Sequence, residues 1–467
     1  MKLSDVLEAI SGQKIPQASL VISEAVIDSR QAIPAALFVA LRGERVDGHD
    51  YIADAFQRGA SLALVDRDPG ADFRVLDLTA PGEISLPQPP FCLKVADSLT
   101  ALQTIAKFWR AKFPLKVIGI TGSVGKSSTK EVVAELLSMR YRTLKNLGNL
   151  NNEIGLPLTL LRLSAGYQRA VLEMGFYVPG EIAFLCELAK PSIGVVTNIG
   201  TVHAERAGSQ EEIARGKSEL VQSLPADGVA VLNYDDPFVR PMAEQTNAKV
   251  LFYGLDPAAH LWADEINGLG LKGISFNLHY RREVIRMRIP LIGRHSVHTA
   301  LRAAAVGLAD GLSWSEIVTG LQSSQNQLRL MAVRSENGAL LLDDTYNASP
   351  ESTLAALNLL EELEGRKIAV LGDMLELGQY ERQGHEMVGA RAAVVADQLI
   401  ALGERGKIIL EAALRSGFPK NRTLWVESVE SATEHLRKIL SEKDVVLVKG
   451  SHGMRMDRII TALEAGS

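Results

Sequence analysis

The residues best equipped for chemistry lie in one run, Lys116-Val-Ile-Gly-Ile-Thr121-Gly122-Ser123-Val124-Gly125-Lys126-Ser127-Ser128-Thr-Lys-Glu131. Val117 to Ile120 form an apolar stretch suited to a buried strand. Gly122 and Gly125 punctuate a tight turn, and Val132, Val133, Leu136 and Leu137 then recur at helical spacing. Strand, glycine turn, Lys-Ser and helix are the parts of a phosphate cradle. Glycines let backbone N–H groups approach an anion, and a helix N-terminus adds its partial positive charge. Lys126 would neutralise the outer phosphates, and the Ser127 hydroxyl suits Mg²⁺. The usual pattern places a glycine five positions before Gly125, where this chain has Ile120, so the loop is a shortened form. A glycine-rich turn that binds nothing is the plain alternative. Gly-Lys-Ser falling at the helix start favours a nucleoside-triphosphate site.

Three further positions could join it. Glu173 closes the apolar strand Ala170-Val-Leu-Glu, Asn198 closes Ile193-Gly-Val-Val-Thr-Asn, and His203 stands slightly beyond. In open α/β sheets ligands gather at the carboxyl ends of the strands, so these residues can converge on the loop. Glu173 is thereby a candidate Mg²⁺ ligand, although a lone strand-end Glu or His is more often solvated or hydrogen-bonded. Lys217, on a helix opened by Ser209 and Glu211-Glu212, reads by itself as a solvated lysine. Arg30 and His49, at the strand ends of the first segment, read on composition alone as ordinary polar residues.

The elements that must position these groups alternate strand and helix. A length of 467 residues predicts about three domains of roughly 150 residues. Apolar content of 46% and 22% charged residues describe a soluble globular chain with ample core, and a net charge of −5 gives no reason to expect nucleic acid. Cys92 and Cys186 sit in apolar surroundings and suggest neither a disulfide framework nor a metal cluster. No run reaches membrane-spanning length, and Met1-Lys-Leu-Ser-Asp lacks a secretion-signal core, which predicts a cytoplasmic protein without membrane insertion. A helix is expected over Leu3–Ile10 and strands over Val21–Ile27, Leu37–Leu41, Ser61–Val65 and Phe91–Val95. A helix over 51–58 is expected with Tyr51, Ile52, Ala55 and Phe56 on one face. Prolines at 81, 87, 89 and 90 break regular structure, and an Asp97/Ser98-capped helix leads into the loop. The pattern near 271–290 changes to period two around Arg281-Arg282-Glu283, an antiparallel hairpin. An alanine-rich helix over 299–309 follows, and the polar stretch Gln322–Gln327 reads as a boundary. The last segment repeats strand then helix from Leu340 to Val448, with Ser349-Pro350 as an N-cap pair. The expected fold is α/β in three domains. These are a small α/β domain over 1–96, a central phosphate-loop domain with a parallel sheet and a hairpin over 97–326, and a Rossmann-like domain over 327–467.

Taken together, the motifs resemble the Mur ligase family. The resemblance is carried by Asp28-Ser29-Arg30, Leu37-Phe-Val-Ala-Leu-Arg42-Gly43-Glu-Arg-Val-Asp-Gly-His49, the loop Thr121–Ser127 and Gly148-Asn-Leu-Asn151-Asn152-Glu-Ile-Gly-Leu-Pro157. Leu172-Glu173-Met-Gly175, Thr197 to Glu205, Asp344-Thr-Tyr346-Asn347-Ala-Ser349-Pro350, Val370 to Gly378 and Val448 to Met454 extend it through all three segments. The pattern is most similar to the dipeptide-adding member. It implies ATP-dependent joining of D-alanyl-D-alanine to UDP-N-acetylmuramoyl-tripeptide through an acyl phosphate, in cell-wall precursor synthesis, by a monomer. By resemblance, Lys126, Glu173, His203 and Lys217 carry the chemistry. Ser127 and Glu173 would hold one Mg²⁺; Glu173 or its neighbours, His203 and a carbamoylated Lys217 would hold a second. Thr121 to Ser128, Thr299, Arg329 and Asp344 would contact the nucleotide. Ser29, Arg30, Arg42, Gly43 and His49 would bind the uridine-nucleotide substrate, with Asn151, Asn152, Tyr346, Asn347 and Ser349 also on substrate.

One stretch departs from the family. Its Gly-x-His-Asn-x-x-Asn reads here as Gly293-Arg-His295-Ser296-Val-His-Thr299, so a residue that normally faces adenine is reduced to a hydroxyl. Alternatives are a neighbouring ligase that adds the third stem residue, a folate polyglutamylating enzyme, or an NTPase with no amine acceptor. The Asn-Asn-Glu-Ile-Gly and Asp-Thr-Tyr-Asn-Ala-Ser-Pro motifs favour the dipeptide-adding ligase.

Overall fold

A computed structural model describes residues 1–43, 45–80, 84–201, 204–323 and 331–465. Its contacts resolve two compact units, Met1–Ile118 with Tyr141–Gly175 and Ala183–Pro191, and Gly119–Arg140 with Phe176–Ile182 and Ser192–Ser467.

The first unit opens with the helix Leu3–Ser11, ended by Gly12 in the left-handed conformation, and then builds a five-stranded sheet. Its strands are β1 (Ala25–Val26), β2 (Leu37–Val39), β3 (Leu62–Val65), β4 (Val75–Asp77) and β5 (Phe91–Lys94), in the parallel order β1-β2-β3-β5-β4. β2 and β3 are buried along their whole length, which is why they read as continuous apolar runs. The expected strand over Val21–Ile27 shrinks to two residues. Val21 and Ile27 face solvent at 59% and 38% exposure, and the Asp28 carboxylate starts a turn by accepting from Arg30 N–H. The expected face over 51–58 is also shorter: Tyr51 stays exposed at the end of a 3₁₀ turn, and Ile52 and Ala55 do the burying. The helix Ser98–Ala111 is capped by Asp97 as expected. β6 (Lys116–Thr121) follows, its last three residues belonging to the second unit. β7 (Thr143–Lys145) and β8 (Arg169–Glu173) are parallel neighbours. Cys92 and Cys186 are free and buried, and burial pushes the Cys92 thiol up to about 12.

The second unit carries β9 (Ile193–Val196), β10 (Val229–Asn233), β11 (Lys249–Gly254), β12 (Leu261–Gly268), β13 (Ile274–Tyr280) and β14 (Glu283–Ile289) in the order β14-β13-β12-β11-β10-β9. β9 to β12 are parallel, and β12 to β14 are antiparallel. Tyr280 pairs with Glu283 across a two-residue turn in which Arg281 adopts a left-handed φ of 56°, so the hairpin has the register its period predicts. The alanine-rich helix spans Ser296–Asp310. Of the polar stretch at 322–327, the first two residues end the helix Trp314–Ser323, and the rest lies outside the described residues.

A further sheet in this unit contains β15 (Met331–Arg334), β16 (Leu340–Asp344), β17 (Arg366–Gly372), β18 (Gln398–Leu402), β19 (Thr423–Val426) and β20 (Asp444–Lys449). The order is β15-β16-β20-β17-β18-β19, with only β15 antiparallel. Helices cover both faces. Leu357, Leu360, Val388 and Ile409 pack on one side of Ala369 and Leu447, and Ala432, Leu436 and Ile459 pack on the other against Ile368 and Val446. Each such fully buried Leu or Ile contributes about 1.5–3 kcal/mol of burial. Ser349 caps the helix Pro350–Glu362 with proline at its first turn. The expected α/β class, with parallel sheets and an antiparallel hairpin, describes this architecture.

Candidate active site

The loop between β6 and the helix Lys126–Ser138 is held by side-chain and backbone groups of the residues that follow β9. Val124 N–H donates to Asn198 Oδ1 (2.8 Å), Ser123 N–H to the Asn198 carbonyl (2.9 Å), Thr197 Oγ1 to the Val124 carbonyl (2.7 Å) and Gly200 N–H to Ser123 Oγ (2.9 Å). Two glycines are obligatory here. Gly122 sits at φ +142°, where a Cβ would run into Thr197 Oγ1, and Gly125 at φ +84° places the helix start directly against Arg302 Nη2. Thr129 Oγ1 donates to the Gly125 carbonyl (2.6 Å), fixing the first turn from inside. The first turn of this helix points its backbone N–H groups and the positive end of the helix dipole toward the loop, an arrangement that favours an anion. Lys126 Nζ lies over the loop, donating to the carbonyls of Gly122 (2.8 Å) and Ser123 (3.2 Å). Thr121 is fully buried beneath the loop as the last residue of β6.

In the first unit, Glu173 ends β8 at 2% exposure, so it is not the solvated carboxylate that a strand end usually carries. Its Oε1 accepts from Asn151 Nδ2 (2.9 Å), and its backbone is pinned on both sides by Asn146 at 3.0 Å. Asn152 takes a different part: its Oδ1 accepts from Gly155 N–H (2.9 Å) and caps the helix Gly155–Leu161.

Lys217 is completely buried in the helix Gln210–Gln222, which corrects its reading as a solvated lysine. Its Nζ has no hydrogen-bond partner and stands 4.5 Å from the centre of the Phe176 ring. Gly216 makes this packing possible, since a Cβ there would collide with Phe176. Burial first, and then repulsion from Lys126, hold the Lys217 amine well below its ordinary range, with Glu181 opposing. Both effects push the amine toward its uncharged, nucleophilic form, the form that adds to CO₂. That chemistry suits a carbamate oxygen ligand for a hard cation, as the buried carboxylate of Glu173 does. His203 lies outside the described residues. Among those described, no group of three or more His, Cys, Asp or Glu side chains is placed to hold a metal.

A second cluster lies at the carboxyl ends of β16, β17 and β20. Asp344 Oδ2 accepts from Lys449 Nζ (2.7 Å), and Lys449, 2% exposed, also donates to the Asn347 carbonyl (2.8 Å). Tyr346 faces His452 with ring centres 6.0 Å apart. Asp373 accepts from Gly406 N–H (2.9 Å), and Ser451 Oγ accepts from Leu375 N–H (2.8 Å). Ser349 spends its hydroxyl on the helix cap. Arg329 lies outside the described residues. Thr299 is 5% exposed, and its Oγ1 accepts from Arg302 Nη2 (2.9 Å); Ser296 Oγ donates to the Ile292 carbonyl (2.6 Å).

In the first segment, Ser29 is buried, and Arg30 is exposed and paired with Asp28 (2.7 Å). Arg42 is largely exposed, 3.8 Å from Asp66, and Gly43 N–H closes a tight turn onto Val46. His49 turns inward instead of presenting a free nitrogen: Nδ1 meets Asp47 (2.6 Å) and Nε2 accepts from Asp66 N–H (3.2 Å). Sequence reasoning left Thr197, Lys449 and Arg302 out of the site. Thr197 and Lys449 sit at strand ends, where the signal existed; Arg302 showed only as a lone charge in an apolar helix.

Three family profiles match the chain: "Mur ligase family, catalytic domain" over residues 21–78, "Mur ligase middle domain" over 120–307, and "Mur ligase, glutamate ligase domain" over 328–452. A relative from Bacillus subtilis, UDP-N-acetylmuramoyl-tripeptide–D-alanyl-D-alanine ligase, is 35% identical over 454 residues, 95% of this chain and 93% of its own. A MurF crystal structure from Acinetobacter baumannii superposes with a TM-score of 0.84 at 30% identity, covering 98% of both chains. That of MurF from Thermotoga maritima in complex with ADP gives 0.79 at 27% identity, over 94% of this chain and 96% of that one. With its loop, its buried lysine and its similarity along nearly the whole length, the chain belongs to the Mur ligase family.

Proposed function

We propose that this protein joins D-alanyl-D-alanine to UDP-N-acetylmuramoyl-tripeptide at the expense of ATP. The observation that carries this reading is the match over 95% of the chain to a ligase of that name, spanning every segment from which the site is built. A carboxylate is a poor electrophile because its leaving group would be oxide. Transfer of the γ-phosphoryl group to a substrate carboxylate oxygen breaks the bond to ADP and creates an acyl phosphate. The amine of the dipeptide, deprotonated, then attacks the carbonyl carbon. The tetrahedral intermediate expels inorganic phosphate, and the nitrogen sheds a proton to leave an amide.

The site assignments follow from that chemistry. Lys126 and the first-turn N–H groups at Ser127 and Ser128 hold the β and γ phosphates, and Thr121 to Gly125 shape the loop. Bound Mg²⁺ would screen charge on the transferring phosphoryl group. Ser127, Glu173, His203 and Lys217, once its neutral amine has added CO₂ and lost a proton, are the residues that would hold it. Asn151 orients Glu173. Asp344, Arg329 and Thr299 serve the nucleotide. Tyr346 and Asn347 serve substrate, Asn152 and Ser349 support that site by capping the helices beside it, and Ser29, Arg30, Arg42, Gly43 and His49 shape the uridine-nucleotide site. We assign the domains as 1–96, 97–326 and 327–467, in a monomeric cytoplasmic enzyme. No described helix is long and apolar enough to cross a membrane.

The test is ADP release with each substrate omitted in turn. The reading requires continuous ADP release, beyond one equivalent per enzyme, only when tripeptide nucleotide and dipeptide are both present, with equimolar amide formed. Turnover that is indifferent to the dipeptide would identify an NTPase instead.

A further inference from the structure

Arg302 is the one charged side chain in the stretch Thr299–Gly307, and it is 4% exposed. Burying a guanidinium is costly unless a carboxylate pairs with it. Among the described residues none does. Its partners are neutral: Nη2 donates to Thr299 Oγ1 (2.9 Å), Nη1 reaches Tyr253 Oη (3.5 Å), and Nε is buried without a partner. Tyr253 is itself fully buried and donates to the Thr197 carbonyl (3.0 Å), the residue that braces the loop at Val124. The guanidinium is thus held rigidly, and it is held against the phosphate loop. Nη2 lies 3.0 Å from where a Cβ on Gly125 would be, at the N-terminus of the Lys126–Ser138 helix.

We propose that Arg302 is a further nucleotide-binding residue, a fixed positive charge behind the loop whose missing counter-ion is the polyphosphate of the bound nucleotide. This rests on the reading of the loop as the ATP site. Lys126 approaches the phosphates from a flexible stem, whereas Arg302 contributes a preorganised charge in a poorly solvated position, where its field is weakly screened. Thr299 is then the hydrogen-bond acceptor that aims the guanidinium, and its hydroxyl oxygen is engaged even though the residue stands where the family has an asparagine.

The experiment is calorimetric titration of the full-length protein with ATP, ADP and AMP, each with Mg²⁺ and without either peptide substrate. Arg302→Met is expected to weaken ATP and ADP at least tenfold and AMP less than threefold, because the loss should grow with phosphate charge. Arg302→Lys should recover most of the ATP affinity. If Arg302→Met does not fold, Arg302→Gln removes the charge but keeps a donor to Thr299, and the same comparison decides. Equal losses for all three nucleotides, or no loss, would make Arg302 a packing residue and overturn the proposal. Because binding is read without an acceptor, a graded loss in a protein that forms no amide would retain this inference and remove the ligase reading.

Discussion

At the scale of single residues, Lys217 and Lys126 separate binding chemistry from stability. Lys217 Nζ is buried without a hydrogen-bond partner and burial disfavours its charged form, an arrangement that costs folding free energy. Lys217→Met, which fills the same space beside Phe176 without a polar atom, should raise the thermal midpoint in metal-free, CO₂-depleted buffer while removing nearly all ligase activity. Lys217→Ala should be equally inactive but partly rescued by a short aliphatic acid, whose carboxylate can occupy the vacated volume. Full activity in either variant means that Lys217 supplies no ligand. Lys126 makes two hydrogen bonds to loop carbonyls at a half-buried position, so Lys126→Ala should alter the melting point little. It should lower turnover by about 10³-fold, the scale at which a charge aimed at a transition state acts. Turnover within a few-fold of wild type would take the γ-phosphate away from this side chain.

Elements position these residues, and the positioning can be tested separately from the chemistry. Asn198 at the end of β9 holds two consecutive loop N–H groups, one with its side chain and one with its backbone. Asn198→Ala should cost about 1 kcal/mol of stability, the typical net value of one such bond, and should weaken ATP binding by more than that through a loosened loop. A variant that melts earlier yet binds ATP normally would show the loop to be rigid without it. His385, fully buried beneath the end of β17, accepts Met374 N–H at Nε2 (3.0 Å) while Nδ1 faces the Glu381 carbonyl. Burial holds its pKa below the ordinary 6.5, so the unfolded chain takes up a proton there before the folded one does. Stability from this group is complete above pH 6.5 and declines as pH falls below it. Denaturant titrations at pH 7.5 and 5.5 should show a smaller pH-dependent loss for His385→Gln than for wild type; identical losses would exclude the histidine. The elements themselves were largely legible. β2 and β3, the 274–289 hairpin and the Ser349-Pro350 cap follow from periodicity and capping chemistry, which act within a few residues. The site was legible where a backbone motif announces it, at Gly122 to Ser128. It was illegible where a role depends on distant partners. Nothing local marks Lys217 as buried, because Phe176 reaches it from another segment. His49 likewise reads as a polar residue at a strand end until Asp47 and Asp66 close on it.

For the whole molecule the central claim is a sequence of bonds: carboxylate to acyl phosphate, acyl phosphate to amide. The family profiles and the full-length relatives place this chain among ligases, and a lysine lying over a glycine loop at a helix start, Lys126, suits the first of those steps. The most direct measurement follows oxygen. UDP-N-acetylmuramoyl-tripeptide carrying ¹⁸O in both oxygens of its terminal carboxylate is incubated with the enzyme, ATP, Mg²⁺ and D-alanyl-D-alanine, and phosphate and product are analysed by mass spectrometry. Activation by phosphoryl transfer predicts one ¹⁸O in each inorganic phosphate released and one retained in the new amide. Amide product accompanied by unlabelled phosphate would contradict the account, because the carboxylate oxygen would then have left without ever bonding to phosphorus.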